Sequence, residues 1–207
     1  MPEYRIQQWN EDNSPIDNPY TRMVLRKRLW SKLSNYIRLH ALNTEGGIYL
    51  DTDVEVLRRF DPLLGDRCFL GFQVPWHATD WVNNAVLGAE PGHPFVKSCM
   101  QLTRQLFAQE KRIYRSPAVS TLALKAMGLR EYGLQTLGDV KLYPREFFYP
   151  HSWDESYSPD RITPNTYSVH HWAGSWVKTK PLLVSHVFER VKAFRRAVGL
   201  TTTSRAA

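Results

Sequence analysis

The stretch "GGIYLDTDVEVL", residues 46–57, joins two glycines, a short apolar run and three acidic side chains in alternation. The run reads as a strand over Ile48 to Val56, rich in β-branched residues, and the glycines end whatever precedes it. On a strand, side chains two apart share a face, so Asp51, Asp53 and Glu55 point one way with Tyr49. Carboxylates held this close repel, and without a counter-cation one of them takes up a proton. A divalent ion removes that conflict, and oxygen ligands of this sort suit Mg²⁺ or Mn²⁺. The competing reading is a solvated strand end, because chance supplies a bare D-x-D in many chains.

Upstream, Val24, Leu25, Leu29, Leu33, Ile37 and Leu42 recur at helical spacing, which predicts one helix over residues 20–43. Before it, "EYRIQQW" alternates like a strand and stops at the turn-formers "NEDNSPIDNP". Downstream, "RRFDPLLGD" turns the chain and "CFLGFQV" is a second strand. "AVLGAEPGHP" leads into a helix from Pro94 to Gln109, and "SPAVSTLALKAMGL" gives another. "VKLYPREFFYP" and "NTYSVHHW" read as short late strands, and residues 181–199 as a helix before a frayed "TTTSRAA". Alternating helices and strands imply an α/β fold with a largely parallel sheet. One domain over residues 1–180 is expected, followed by a basic segment over 181–207. Open α/β sheets bind ligands beyond the carboxyl ends of their strands, which is where Asp51 and Asp53 would lie.

A chain of 207 residues can bury a core without staples. Its two cysteines, Cys68 and Cys99, have no metal-ligand spacing and read as reduced thiols of a cytoplasmic protein. No apolar run reaches the length of a membrane span, and "MPEYRIQQWN" is not a signal pattern. Lys and Arg exceed Asp and Glu by 27 to 20, concentrated in "RMVLRKRLWSK" (22–32) and "FERVKAFRRAVG" (188–199). Such excess favours an anionic partner: nucleic acid, lipid head groups or a phosphate-bearing small molecule. No nucleic-acid module appears, and the better reading of the tail is a basic helix resting peripherally on the inner face of an anionic membrane. Two amphipathic helices with solvated basic faces are the simpler alternative.

Taken together, "PEYRIQQWNEDN", "SNYIRLHALNTEGGIYLDTDVEVL", "WVNNAVLGAEPGHPF", "YPREFFYP" and "ITPNTYSVHHWAGSW" resemble, in order, the DXD-containing sugar transferases. These include fungal outer-chain mannosyltransferases and bacterial capsule and lipopolysaccharide glycosyltransferases, with clostridial toxin domains as more distant relatives. The resemblance implies a GT-A fold, a Rossmann-like sheet that binds a nucleotide-diphosphate sugar, here without the family's usual first strand. It implies a retaining, metal-dependent hexosyltransferase acting on a glycan or lipid-linked acceptor. No residue declares itself as an enzymatic nucleophile, so attack on the face of departure is the default.

Carried onto matching positions, Asp51 meets the sugar or ribose, Asp53 ligates the metal and Arg38 contacts the donor. Tyr49 lines the donor pocket, and Asn84, or else Asn83, faces the sugar. In "HHWAGSW" one imidazole completes the metal sphere, which tilts the preference toward Mn²⁺ over Mg²⁺. His170 is the first choice and His171 the alternative, since adjacent strand residues face opposite ways. Ser175 and the Trp176 indole donate to the departing phosphate. Where relatives have an aspartate in S-D-x-x-R, this chain has Asn35, which keeps an acceptor and loses a charge. That departure and the missing strand support a second reading, a catalytically impaired relative that binds nucleotide sugar or glycan.

Overall fold

The computed structural model describes residues 4–10 and 12–173. The helix, domain boundary and site residues expected beyond Ala173, including Ser175 and Trp176, lie outside these.

The single helix expected over 20–43 is two: α1 (Pro19–Arg26) and α2 (Trp30–Glu45). α1 opens on a capping box in which the Asn18 side chain accepts from the Thr21 N–H. It closes in a Schellman motif. Arg28 N–H donates to the Leu25 carbonyl and Leu29 N–H to the Val24 carbonyl, with Arg28 itself at φ 52°. Leu29 packs in the same apolar cluster as Val24, the contact that accompanies this motif. Apolar periodicity runs straight through the break, which is why spacing alone does not reveal it.

The strand expected over 48–56 is also two: β1 (Gly47–Leu50) and β2 (Val54–Val56), separated by a turn closed by Val54 N–H to the Asp51 carbonyl. The remaining elements are β3 (Cys68–Phe72), β4 (Val82–Ala89), α3 (Pro94–Glu110), α4 (Ser116–Ala126), β5 (Gln135–Leu137), β6 (Val140–Tyr143) and β7 (Ser168–His170). "EYRIQQW" forms no strand over its described residues. β1, β4, β3, β6 and β5 make one sheet in that order, and β2 pairs with β7 in a separate ribbon.

The sheet is mixed α/β as expected but not largely parallel, since β3–β6 is its one parallel pair. Short connections decide this: β5 and β6 are joined by Gly138 and Asp139, and β3 and β4 by the loop of residues 73–81, too short for a parallel crossover. β4 is buried along its whole length, so it shows no alternation.

Each strand's two faces feed two cores. Leu70 and Phe72 face α2, α3 and α4, together with Leu39, Phe95 and Leu124. Phe69 faces an aromatic cluster of Phe60, Phe148, Tyr149 and Tyr167. No described helix is long and apolar enough to cross a membrane.

The β3–β4 ladder jumps from Leu70↔Leu87 to Gly71↔Asn83, leaving Asn84, Ala85 and Val86 bulged out of register. The fully buried Tyr149 fills the gap: its hydroxyl accepts from the Val86 N–H at 2.9 Å and reaches the Asn83 carbonyl at 3.2 Å. On the bulge's other side, the Ala85 carbonyl accepts from the Asp51 N–H. The bulge therefore sets where β1 ends and the acidic turn begins.

Candidate active site

Asp51, Asp53 and His170 offer ligand atoms that all lie within 4.8 Å of one another. Asp51 and Asp53 converge because the chain turns between β1 and β2, not because they share a strand face. Glu55, expected beside them, instead pairs with His171 Nε2 at 2.8 Å.

Asp51 is fixed through one oxygen. Its Oδ1 accepts from the Tyr49 hydroxyl at 2.7 Å and from Arg38 Nη2 at 2.8 Å, and its Oδ2 has no partner among the described residues. Arg38 projects from α2 and is 5% exposed. Its Nη1 donates to the Asn84 carbonyl at 2.7 Å, and Nη2 also reaches Asn35 Oδ1 at 3.1 Å. The guanidinium stacks over the Tyr49 ring at 4.3 Å. Burial works against its charge, but Tyr49 and Asp51 outweigh burial and hold its pKa above the ordinary value. Burial also pushes the Tyr49 phenol well up, keeping it a neutral donor.

Asp53 and His170 are joined across the ribbon, where His170 stands opposite Val54. His170 Nε2 lies 3.1 Å from Asp53 Oδ1, the Ala173 N–H donates to Oδ2 at 2.9 Å, and the His171 N–H donates to the Asp53 carbonyl. Burial raises the Asp53 pKa, yet these bonds and the nearby imidazole hold it below the usual range. The carboxylate is thus ionised and ready to ligate. The Trp172 ring lies 4.1 Å from the His170 ring, centroid to centroid, and its indole N–H donates to the His151 carbonyl.

This donor set fits a divalent cation. Bonds of about 2.1 Å put adjacent ligands of an octahedral ion roughly 3 Å apart, close to the 3.1 Å between His170 Nε2 and Asp53 Oδ1. Asp51 supplies the second carboxylate, and two oxygens with one imidazole nitrogen match such ions chemically. His170 Nδ1 is buried without a partner among the described residues.

Of the residues singled out by sequence, Asn35, Arg38, Tyr49, Asp51, Asp53 and His170 come together. The Asn84 amide does not: it turns to the Ser116 and Ser120 hydroxyls of α4, and only its carbonyl serves the site, through Arg38. The Asn83 amide donates to Gln73. Sequence reasoning missed Tyr149 and Trp172, which support the site from behind; their stretches stood out only as blocks of resemblance.

Residues 1–70 match the model of the glycosyltransferase sugar-binding region containing DXD motif, and residues 88–191 that of the alpha 1,4-glycosyltransferase conserved region. Mannosyl phosphorylinositol ceramide synthase SUR1 of Saccharomyces cerevisiae is 28% identical over 121 residues, which are 56% of this chain and 31% of that protein. The solved PaToxG glycosyltransferase is 19% identical with a TM-score of 0.42, over 54% of this chain and 45% of that one. The match thus spans less than half the length of either relative. The first region ends in β3 and the second fills half of the chain, so this protein belongs to the glycosyltransferase family defined by the alpha 1,4-glycosyltransferase conserved region.

Proposed function

We propose that the protein is a metal-dependent, retaining glycosyltransferase. It moves a hexose from a nucleotide-diphosphate sugar, held in a GT-A type donor site, to a glycan or lipid-linked acceptor. The observation that carries this reading is the convergence of Asp51, Asp53 and His170. When bound there, a divalent cation supplies positive charge to a leaving diphosphate, and the imidazole favours Mn²⁺ over Mg²⁺. Before the ion binds, His170 and the Ala173 N–H keep Asp53 ionised for that task.

Arg38 fixes the rotamer of Asp51, so that Oδ2 faces the donor with little reorganisation. Tyr49 and Asn35 hold the guanidinium and line the same corner. Asn84 contributes through its carbonyl. Ser175 and Trp176 donate to the departing phosphate, and the transferase domain takes residues 1–180. The basic segment 181–207 rests on an anionic membrane at the cytoplasmic face. The yeast relative's name, a mannosyl phosphorylinositol ceramide synthase, agrees with a lipid-linked acceptor.

A binding relative without transfer is the second reading, raised by Asn35. Against it, the Asn35 amide still accepts from Arg38 at 3.1 Å, as a carboxylate would. Incubation with a panel of nucleotide sugars and Mn²⁺, followed by product analysis, separates the two. Transfer by the wild type and none by Asp53→Ala supports the enzyme. Tight donor binding without product supports the binding relative, and transfer undiminished in Asp53→Ala contradicts the site.

A further inference from the structure

A second feature lies at the start of α2, the helix that carries Arg38. The Schellman turn between α1 and α2 holds Arg28 in the left-handed region, and Arg26, Lys27, Arg28 and Trp30 are all exposed. Trp30 is 54% exposed, a large apolar ring open to solvent as Trp76 and Trp153 also are, but here set among basic side chains. The end of α3 joins them. Phe107 packs edge-on against Tyr20 of α1, whose hydroxyl donates to the Lys32 carbonyl at the start of α2, and the exposed Lys111, next to Arg112, lies over the Phe107 ring.

Among the described residues, no carboxylate forms an ion pair with Arg26, Lys27, Arg28, Lys111 or Arg112. The acids nearest in sequence are engaged elsewhere: Glu110 accepts from the Tyr114 hydroxyl and Asp17 Oδ1 from the Asn18 amide. Lys111 lies over the Phe107 ring and Arg112 over the Tyr114 ring, so this junction of helix ends combines an exposed indole with cations that no described carboxylate neutralises. Interfacial tryptophan and basic side chains suit lipid head groups, where the ring sits at head-group level and the cations meet phosphate.

We propose that this corner, formed by the α1–α2 turn and the end of α3, docks the protein on an anionic phospholipid bilayer. The patch stands on its own observations and does not depend on the donor site. One consequence does rest on the transferase reading. Trp30 precedes Arg38 by eight residues of α2, about 12 Å along the helix axis, so docking holds the donor site near the acceptors a membrane carries.

The test is co-sedimentation of the full chain with phosphatidylglycerol-containing vesicles and with neutral phosphatidylcholine vesicles at physiological salt. Two variants accompany it: the triple substitution Arg26→Gln, Lys27→Gln, Arg28→Asn, and Trp30→Ser. Asn tolerates the left-handed backbone at position 28, and an unchanged melting point certifies that each variant is folded. The wild type is expected to bind only the anionic vesicles. The triple variant should partition roughly 100-fold more weakly, and Trp30→Ser roughly tenfold more weakly.

Equal wild-type binding to both vesicles overturns the proposal. So does a folded triple variant that binds as the wild type does, which would place any membrane contact on another segment. Binding to duplex DNA as tight as to anionic vesicles, lost in the triple variant, overturns it in favour of nucleic acid. Because vesicle binding needs no donor, a failure of the transferase reading leaves the result intact.

Discussion

The Arg38 guanidinium meets Oδ1 of Asp51 at 2.8 Å from a side chain 5% exposed, whereas the Asp51 side chain is 26% exposed. A buried cation thus sets the direction of a carboxylate that opens to solvent. The same fork holds the bulged strand through the Asn84 carbonyl.

Arg38→Lys keeps the charge and loses the fork, so the Asn84 carbonyl, Asn35 and Asp51 can no longer be served together. The expected loss is about 1–3 kcal/mol of unfolding free energy in urea, with weaker donor binding. An unchanged midpoint and unchanged donor affinity would contradict the role given to the fork.

Tyr149→Phe removes one oxygen from a fully buried ring and leaves the Val86 N–H without its acceptor. Stability should fall by about 1–3 kcal/mol. Because Val86 and Asn84 share the bulge, metal affinity should fall as well. A control of equal stability loss on the α3 face, Val96→Ala, should leave metal affinity intact, and matched affinity losses would show that Tyr149 acts through stability alone.

Much of this architecture was legible in the chain. Helices α3 and α4 and strands β3, β6 and β7 follow from apolar spacing and turn residues. β4 does not: "VNNAVLGA" is buried on both faces and carries two asparagines, so neither period stands out. The break at Arg28 lacks the glycine that normally marks such a cap. At the site, acid and imidazole types could be named beforehand because their chemistry is tied to residue identity. The support from the Asn84 carbonyl could not, since a backbone acceptor has no residue-type signature. The turn between Asp51 and Asp53 was hidden by the β-branched run around it.

His151 is buried, and burial, followed by repulsion from His171, pushes its pKa down to about 4. In the unfolded chain a histidine titrates near 6.5, so between those values the unfolded state binds the extra proton. The neutral imidazole's contribution is therefore complete above pH ~6.5 and is lost progressively as pH falls toward 4. Melting temperature should drop from pH 7 to pH 5, and His151→Gln should flatten that limb. An acid limb equally steep in the variant would assign it to other groups.

The central claim is that Asp51, Asp53 and His170, drawn from distant parts of the chain, form one cation site. Calorimetric titration of the wild type and of the double variant Asp53→Asn, His170→Ala with Mn²⁺ tests it without reference to any reaction. One strong binding event in the wild type, absent from a folded double variant, is the predicted result. Mn²⁺ binding of equal strength in both proteins, or in neither, would contradict it.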